Sequence, residues 1–369
     1  MTSVRSALDG LPGQVAPITG APQADATVAP ASIEDVETIL DTASEHHLRT
    51  LVWGGGTHQG YGGRLDPVVV LSTAGLDRIV DFQPEDLTVT VEAGVRVVDL
   101  EAQLAEQGLT AALPERPGEA TVGGVVAAGI SGWRRARYGP TRERLLEVVL
   151  VTGDGRRVRG GGRVVKNVTG FDIPRLVTGS FGSLGVIVQV CLKLWPLPSA
   201  RGTVTVADGD GALAAAYRPQ AVVECDGSTR VFLGGTPEEV EGQAAAIGSP
   251  AAEGWDWPGD LDGEVRWSLR VPPSELRTAI NDVRADYAYQ AALGVGELVI
   301  GGPDGEVGPL RKWAESHGGA LVLVAGPPEL YARIDPWGTP PASLSLQKRI
   351  VQRFDPVRIL NPGRLPGGI

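Results

Sequence analysis

The stretch Leu51-Val52-Trp53-Gly54-Gly55-Gly56-Thr57-His58-Gln59-Gly60 places three consecutive glycines at the end of an apolar strand pattern. Glycine tolerates positive φ and lets another group approach the backbone closely. Successive N–H groups freed in such a turn can point into one concavity and bind phosphate without a lysine. By itself the triplet suits a plain strand–strand turn as well as a phosphate cradle. Its reading therefore depends on what surrounds it.

The chain has 369 residues, 42% of them hydrophobic and 21% charged, so it is globular and long enough for two domains. A net charge of −11 argues against nucleic acid and against adhesion to anionic lipid. Cys191 and Cys225 are too few for a disulfide framework and read as buried thiols in a reducing compartment. No apolar run approaches the ~20 residues that span a bilayer. Residues 1–23 lack the apolar centre of a signal peptide. The expected location is the cytoplasm, with any hold at the inner face of a membrane supplied by partners.

The pattern along the chain is α+β. Ser32 followed by Asp35 opens a helix with Ile33, Val36, Ile39 and Leu40 on one face. Strands follow at 50–53, 68–71, 76–82 and 87–92, then an amphipathic helix at 95–107 stopped by Gly108. The small apolar run 121–130 reads as a helix capped by Thr121 that something packs against closely. Gly153-Asp154-Gly155 marks a hairpin, and 186–195 a long strand closed by Pro196 and Pro198. Beyond Pro198, strands at 221–224, 230–233, 266–271, 296–300 and 320–324 alternate with helices at 237–247, 274–283 and 308–316. That order approximates the split β-α-β arrangement of a ferredoxin-like layer, its antiparallel sheet covered by helices on one face. A last helix spans 345–354, and no internal repeat is evident.

Several chemistries are set aside by spacing. The four histidines, His46, His47, His58 and His317, form no metal-binding pattern, and the cysteines have no ligand spacing, so no metal site is expected. No Gly-x-Ser-x-Gly follows a strand, no Gly-Lys-Ser/Thr follows the glycines, and the first turn lacks GxGxxG. What remains is a set of glycine-rich elements within the first 200 residues: the triglycine turn, 117–124, Ser131-Gly132, 137–140 and 179–187. Together they describe a cleft walled by backbone, suited to a long, flat, polyanionic ligand such as a dinucleotide.

In this order and spacing the elements resemble the FAD-binding domain of the vanillyl-alcohol oxidase and p-cresol methylhydroxylase (PCMH-type) flavoproteins, over about residues 21–198. Within that family the likeness is strongest to FAD-binding subunits of bacterial glycolate dehydrogenase (glycolate oxidase). It is carried by Arg163-Val164-Val165-Lys166-Asn167-Val168-Thr169-Gly170-Phe171-Asp172, by Gly179-Ser180-Phe181-Gly182-Ser183-Leu184-Gly185-Val186-Ile187, and by the tail Phe354-Asp355-Pro356 to Asn361-Pro362-Gly363-Arg364. The resemblance implies a two-subdomain FAD-binding domain at 21–198, a smaller antiparallel-sheet, ferredoxin-like α+β domain at 199–344, and a helix and tail at 345–369 returning to the first domain.

It also implies roles by position. Gly54, Gly55, Gly56, Thr57, His58, Gln59 and Gly60 should hold the FAD pyrophosphate. Pro117, Gly118, Thr121, Val122, Gly123, Gly124, Ala128, Ser131 and Gly132 should lie along the ribityl chain and ring, with Tyr138 and Gly139 lining the same cleft. Gly185, Val186 and Ile187 should run beside the adenine, and Asn361-Pro362-Gly363 should close over the first domain. Relatives that bond FAD covalently often carry histidine where this chain has Thr57, so non-covalent FAD is expected. Phe171 stands where relatives have tyrosine, removing a hydroxyl from the domain interface. Catalytic relatives hold substrate at a histidine-rich metal site in the second domain, where this chain has His317 alone.

Oxidising a 2-hydroxy acid at a flavin needs a base, a cation for the carboxylate, and hydride transfer to the flavin. Lys166, Arg364 and the Trp133-Arg134-Arg135 cluster are the candidate cations, and no catalytic residue is assigned. The expectation is an FAD-binding oxidoreductase subunit. It would take part in oxidising a small 2-hydroxy acid to the 2-oxo acid and pass electrons to a larger flavoprotein subunit and an iron–sulfur subunit. Two isolated cysteines cannot hold such a cluster here. Two other readings stay open: a self-sufficient FAD-dependent alcohol or sugar-acid oxidase or dehydrogenase, and a non-catalytic cofactor-bearing or assembly subunit.

Overall fold

The computed structural model describes residues 2–114, 118–163, 170–225, 227–261, 263–302 and 307–369. After a short helix α1 (Thr2–Asp9), the first half builds two sheets. A parallel sheet of order β1-β3-β2 comprises β1 (Ala26–Val28), β2 (Thr50–Trp53) and β3 (Val69–Ser72), with helix α2 (Ile33–Glu45) between β1 and β2. Ser32 caps α2 by accepting from the Asp35 N–H at 3.1 Å.

The second sheet is antiparallel and has five strands, ordered β4-β5-β9-β7-β8. These are β4 (Ile79–Gln83), β5 (Thr88–Glu92), β7 (Leu145–Val151), β8 (Arg157–Gly161) and β9 (Val186–Lys193), with the short strand β6 (Leu109–Thr110) pairing β10 (Trp195–Pro196). Its pleat sorts the side chains. Val149, Val151, Val186 and Val188 share a core with Val36, Ile39 and Leu40 of α2. Val148, Leu150, Ile187 and Val190 face helices α3 (Val97–Glu106) and α4 (Val122–Ala128). Helix α2 therefore joins the two sheets, and the short helices α5 (Arg135–Tyr138) and α6 (Ile173–Val177) lie in the connections.

From Ala200 the chain forms one antiparallel sheet of eight strands, ordered β14-β11-β13-β12-β16-β17-β15-β18. Its first half is β11 (Ala200–Val206), α7 (Gly209–Ala215), β12 (Ala221–Cys225), β13 (Ser228–Gly235), α8 (Pro237–Ile247) and β14 (Ala252–Glu253). Its second half repeats the order with β15 (Val265–Arg270), α9 (Leu276–Val283), β16 (Ala288–Ala292), β17 (Glu297–Gly302), α10 (Gly308–Ser316) and β18 (Ala320–Ala325). Each half is a βαββαβ unit with the ferredoxin-like strand order 4-1-3-2, and the two fuse where β12 pairs β16.

The single ferredoxin-like layer read from the sequence is thus two, and a structural repeat exists where no sequence repeat is evident. The signals missed were weak. Strand β11 follows two prolines, β16 (Ala288–Ala292) is built largely of alanine, and α7 (Gly209–Ala215) is glycine-rich, held instead by Asp208 accepting from the Gly211 N–H at 2.9 Å. Helices α7 to α10 pack one shared core on one face, with Trp267, Leu269, Tyr289 and Leu298 beneath them. The opposite face, with Ala221, Val223 and Phe232, turns toward Trp133 and the first half of the chain.

Helices α11 (Pro328–Arg333) and α12 (Leu344–Phe354) follow. The tail then runs back beside β2, the Thr50 N–H donating to Ile359 O at 2.8 Å and the Asn361 N–H to Thr50 O at 3.0 Å. The buried Asp355 carboxylate accepts from the Ile359 and Leu360 amides at 3.2 and 2.8 Å, which sets the turn into that strand-like path.

Candidate functional site

The triglycine turn begins where β2 runs out of partners. Val52 donates its N–H to the Asn361 side chain at 3.0 Å, and Trp53 O accepts from Thr73 N at 2.9 Å. Beyond it, the amides of Gly54, Gly55, Gly56 and Thr57 meet no acceptor among the described residues. Glycine is required here for internal reasons too. A Cβ on Gly55 would lie 1.5 Å from Glu119 O, and Gly56 has φ +74 with its Cβ position 2.6 Å from the Trp53 ring. The loop 119–121 is pressed onto the turn and holds its donors in place. Four consecutive free N–H groups in one concavity make a nest for an anion.

Gly54 to Gln59 form one wall of a pocket completed by Gly123, Gly124 and Ala128 of and beside α4, and by Gly185 and Ile187 at the start of β9. Arg364, a candidate substrate cation in the sequence, lines this same pocket. Elements 130 residues apart in sequence thus meet in one glycine-walled cleft.

Other residues expected along the cleft lie elsewhere. Gly60 faces Val324 O of β18, where a Cβ would come within 2.0 Å, and its carbonyl accepts from Tyr331. Gly118 is exposed. Thr121 is consumed as the cap of α4, accepting from Gly124 N at 3.2 Å, and Val122 is fully buried in the core below. The Ser131 hydroxyl accepts from Thr141 N at 3.1 Å, while Gly132 borders a neighbouring cavity. Tyr138 packs edge-on against Trp195, 5.2 Å between ring centres, and Gly139 O accepts from Arg144 at 2.7 Å, so neither lines the cleft. Val186 points into the core and offers only backbone. Pro117 and Lys166 lie outside the described residues.

Phe171, read as an interface position, is 87% exposed. Cys191 is buried as expected, but Cys225 is only half-buried. His317 ends α10, stacked on Trp313, with its Nδ1 2.8 Å from Trp313 O. Arg134 is buried and donates to Leu113 O at 2.9 Å.

Contacts that the sequence did not assign complete the cleft. The Asn361 side chain accepts from Val52 N and donates to Phe181 O at 2.7 Å, tying the glycine turn to the 179–185 loop. Phe181, Gly182, Thr73 and Ala127 also line the pocket. The tail motif signalled proximity, but nothing local in it predicts which loops Asn361 would join.

Next to this cleft, between the open face of the eight-stranded sheet and the first half of the chain, lies a cavity of about 410 Å³. Tyr61, Phe181 and Trp337 form an aromatic wall, with ring centres 5.3 to 6.5 Å apart. Ser268 and Arg270 of β15 project into it, opposite the core residues Trp267 and Leu269. The hydroxyls of Ser268 and Ser180, both lining the cavity, are buried without a hydrogen-bond partner among the described residues.

Arg270 keeps 49% of its side chain accessible and sits 3.3 Å from Glu297, whose charge raises the guanidinium further. Arg135 of α5 approaches the other Glu297 oxygen at 3.7 Å, its own basicity lowered chiefly by burial. Two cations therefore share one carboxylate across the seam, leaving positive charge facing the cavity. Among the described residues, no three of His, Cys, Asp or Glu come together to hold a metal.

Residues 24–161 match the FAD binding domain family. The chain is 41% identical over 124 residues to glycolate oxidase subunit GlcE of Escherichia coli (strain K12), covering 33% of this chain and 35% of that one. It is 32% identical over 185 residues to glycolate oxidase subunit GlcD of Bacillus subtilis (strain 168), 49% of this chain and 39% of that one. It is 33% identical over 175 residues to the mitochondrial D-lactate dehydrogenase [cytochrome] of Arabidopsis thaliana, 47% and 31%. The chain thus spans 31–39% of the length of these relatives. An alkyldihydroxyacetonephosphate synthase structure shares the fold, with TM-score 0.66 and 16% identity over 92% of this chain and 77% of that one. The chain carries an FAD-binding domain, and its donor nest and backbone-walled cleft fit that cofactor.

Proposed function

We propose that this chain, with FAD in its glycine-walled cleft, is the FAD-binding subunit of a hydroxy-acid dehydrogenase of glycolate dehydrogenase type. It takes part in oxidising a small 2-hydroxy acid to the 2-oxo acid, and electrons leave through a larger flavoprotein subunit and an iron–sulfur subunit. The observation that carries this reading is the cavity beside the cleft, where Arg270 offers charge and hydrogen bonds to a carboxylate. Bound FAD supplies the hydride acceptor. The chain's own residues orient the acid: Arg270 holds the carboxylate end, and Tyr61, Phe181 and Trp337 exclude water around it.

The FAD is held non-covalently. Thr57 occupies the position after the glycines, its hydroxyl 2.9 Å from the His58 Nδ1, and the His58 ring lies 6.1 Å from that of Tyr61. Similarity to a protein named as a subunit supports an assembly, as do two cysteines too few for a cluster. The chain works in the cytoplasm, and partners provide any membrane contact; among the described residues no helix is long and apolar enough to cross a membrane.

A second reading, a cofactor-bearing subunit whose flavin meets no substrate, draws on the shortage of a base. Among the described residues no carboxylate lines the cavity beside the cleft; of the two that line its neighbour, Glu297 is shared by two arginines and Asp260 lies 3.5 Å from Arg266. Anaerobic titration of the FAD-loaded chain with glycolate and D-lactate separates the two. Bleaching of the oxidised-flavin band supports the dehydrogenase reading, in the chain alone or with partner subunits prepared free of their own flavin. A flavin that stays oxidised in both preparations counts against oxidation of these acids here and favours the non-catalytic subunit.

A further inference from the structure

Of the groups lining the glycine-walled pocket, none is acidic, and only His58 and Arg364 can carry positive charge. Arg364 is 5% exposed. It reaches the pocket from the tail that Asn361 anchors, so its place is fixed by the same turn that ties the two loops together. Its guanidinium donates to Gly63 O at 3.1 Å and to the Gln59 side chain, both neutral acceptors. No carboxylate pairs with it among the described residues. Burial, opposed by Tyr331, pulls it down to about 10, and Arg64 adds like charge. These bonds occupy two of its five N–H donors, and a desolvated cation without a counter-ion is costly to keep.

We propose that Arg364 is the counter-charge for a diphosphate, completing with the amides of Gly54 to Thr57 a receptor for the pyrophosphate of the cofactor. The proposal rests on the FAD reading of the cleft and moves Arg364 from the substrate to the cofactor. The nest supplies direction through its N–H groups, and Arg364 supplies the charge that those neutral groups lack. It is a positioning and affinity residue, and Arg270 remains the cation for substrate.

The test is calorimetric titration of the FAD-free chain with FAD, ADP and adenosine, the last sharing the base and sugar but no phosphate. In the wild type, ADP should bind more tightly than adenosine, and added salt should erode that preference. Arg364→Met should weaken FAD and ADP by about 10- to 100-fold, as expected for losing one charged hydrogen-bond donor, and leave adenosine unchanged. Arg364→Lys, which keeps the charge, should recover part of the loss. Equal weakening of ADP and adenosine in Arg364→Met would mean a structural role only and overturn the proposal, as would unchanged ADP affinity. Should Arg364→Met not fold, the wild type still decides: ADP binding no tighter than adenosine, or a preference indifferent to salt, refutes the counter-charge. A wild type that binds no FAD overturns the cofactor reading itself; a wild type and an Arg364→Met that bind FAD equally overturn this inference alone.

Discussion

Replacing Asn361 by Ala removes the side chain that ties the two cofactor loops together. Asn361 is 2% exposed, accepts from Val52 N at 3.0 Å and donates to Phe181 O at 2.7 Å. Alanine strands both partners, and each buried unsatisfied group costs about 1–3 kcal/mol. Val52 and Phe181 are both half-buried, so the lower half of that range applies to each. Asn361 also sits at φ +42, where asparagine is tolerated and alanine loses roughly 1 kcal/mol more. The sum is about 3–5 kcal/mol, a fall in Tm of roughly 5 °C for a chain of this length. Thermal melting of the FAD-free chain measures it, and titration with FAD should show at least about a 10-fold loss of affinity because both loops are loosened. Asn361→Gly, which relieves the backbone strain, should recover only that final ~1 kcal/mol. A Tm for Asn361→Ala within about 2 °C of wild type, with FAD affinity unchanged, would refute the clamp.

Gly55→Ala places a Cβ 1.5 Å from Glu119 O and must push the 119–121 loop off the turn; FAD affinity should fall by about 10-fold or more while the far-ultraviolet spectrum is retained. Arg270→Leu should weaken glycolate or lactate binding to the FAD-loaded chain about 30-fold, the loss of a charged hydrogen-bond donor, with FAD affinity unchanged; equal substrate affinity would remove Arg270 from the carboxylate site. Burial pushes the Cys191 thiol up, with Thr90 and Arg163 opposing only in part. Because the thiolate is the nucleophile, alkylation of the native chain at pH 8 should label Cys225 well ahead of Cys191, and mass spectrometry after unfolding should then find Cys191 free.

Much of the cofactor cleft was legible because its parts are local. A glycine triplet after an apolar strand, a capping threonine before small residues, and glycines flanking β9 each act on the backbone within a few residues, where sequence and conformation are coupled most tightly. The same local signals overreached where a residue type fits a cleft but is used for something else, as with Tyr138, packed on Trp195. In the second half, alternating patterns identified strands and helices but missed those made of glycine and alanine. With them went the duplication of the βαββαβ unit.

By itself the sequence determined a chain with a glycine-walled site for a polyanionic cofactor, too few cysteines for a cluster, and histidines in no metal pattern. Only the tertiary structure decided how charge and side-chain hydrogen bonds are distributed. Asn361 meets Val52 across 309 residues, Arg364 meets Gln59 across 305, and Glu297 draws Arg135 and Arg270 together across the seam of the two halves. Backbone geometry is set by near neighbours. Which buried cation lacks a counter-ion depends on every element packed around it, and that is fixed only when the chain closes on itself.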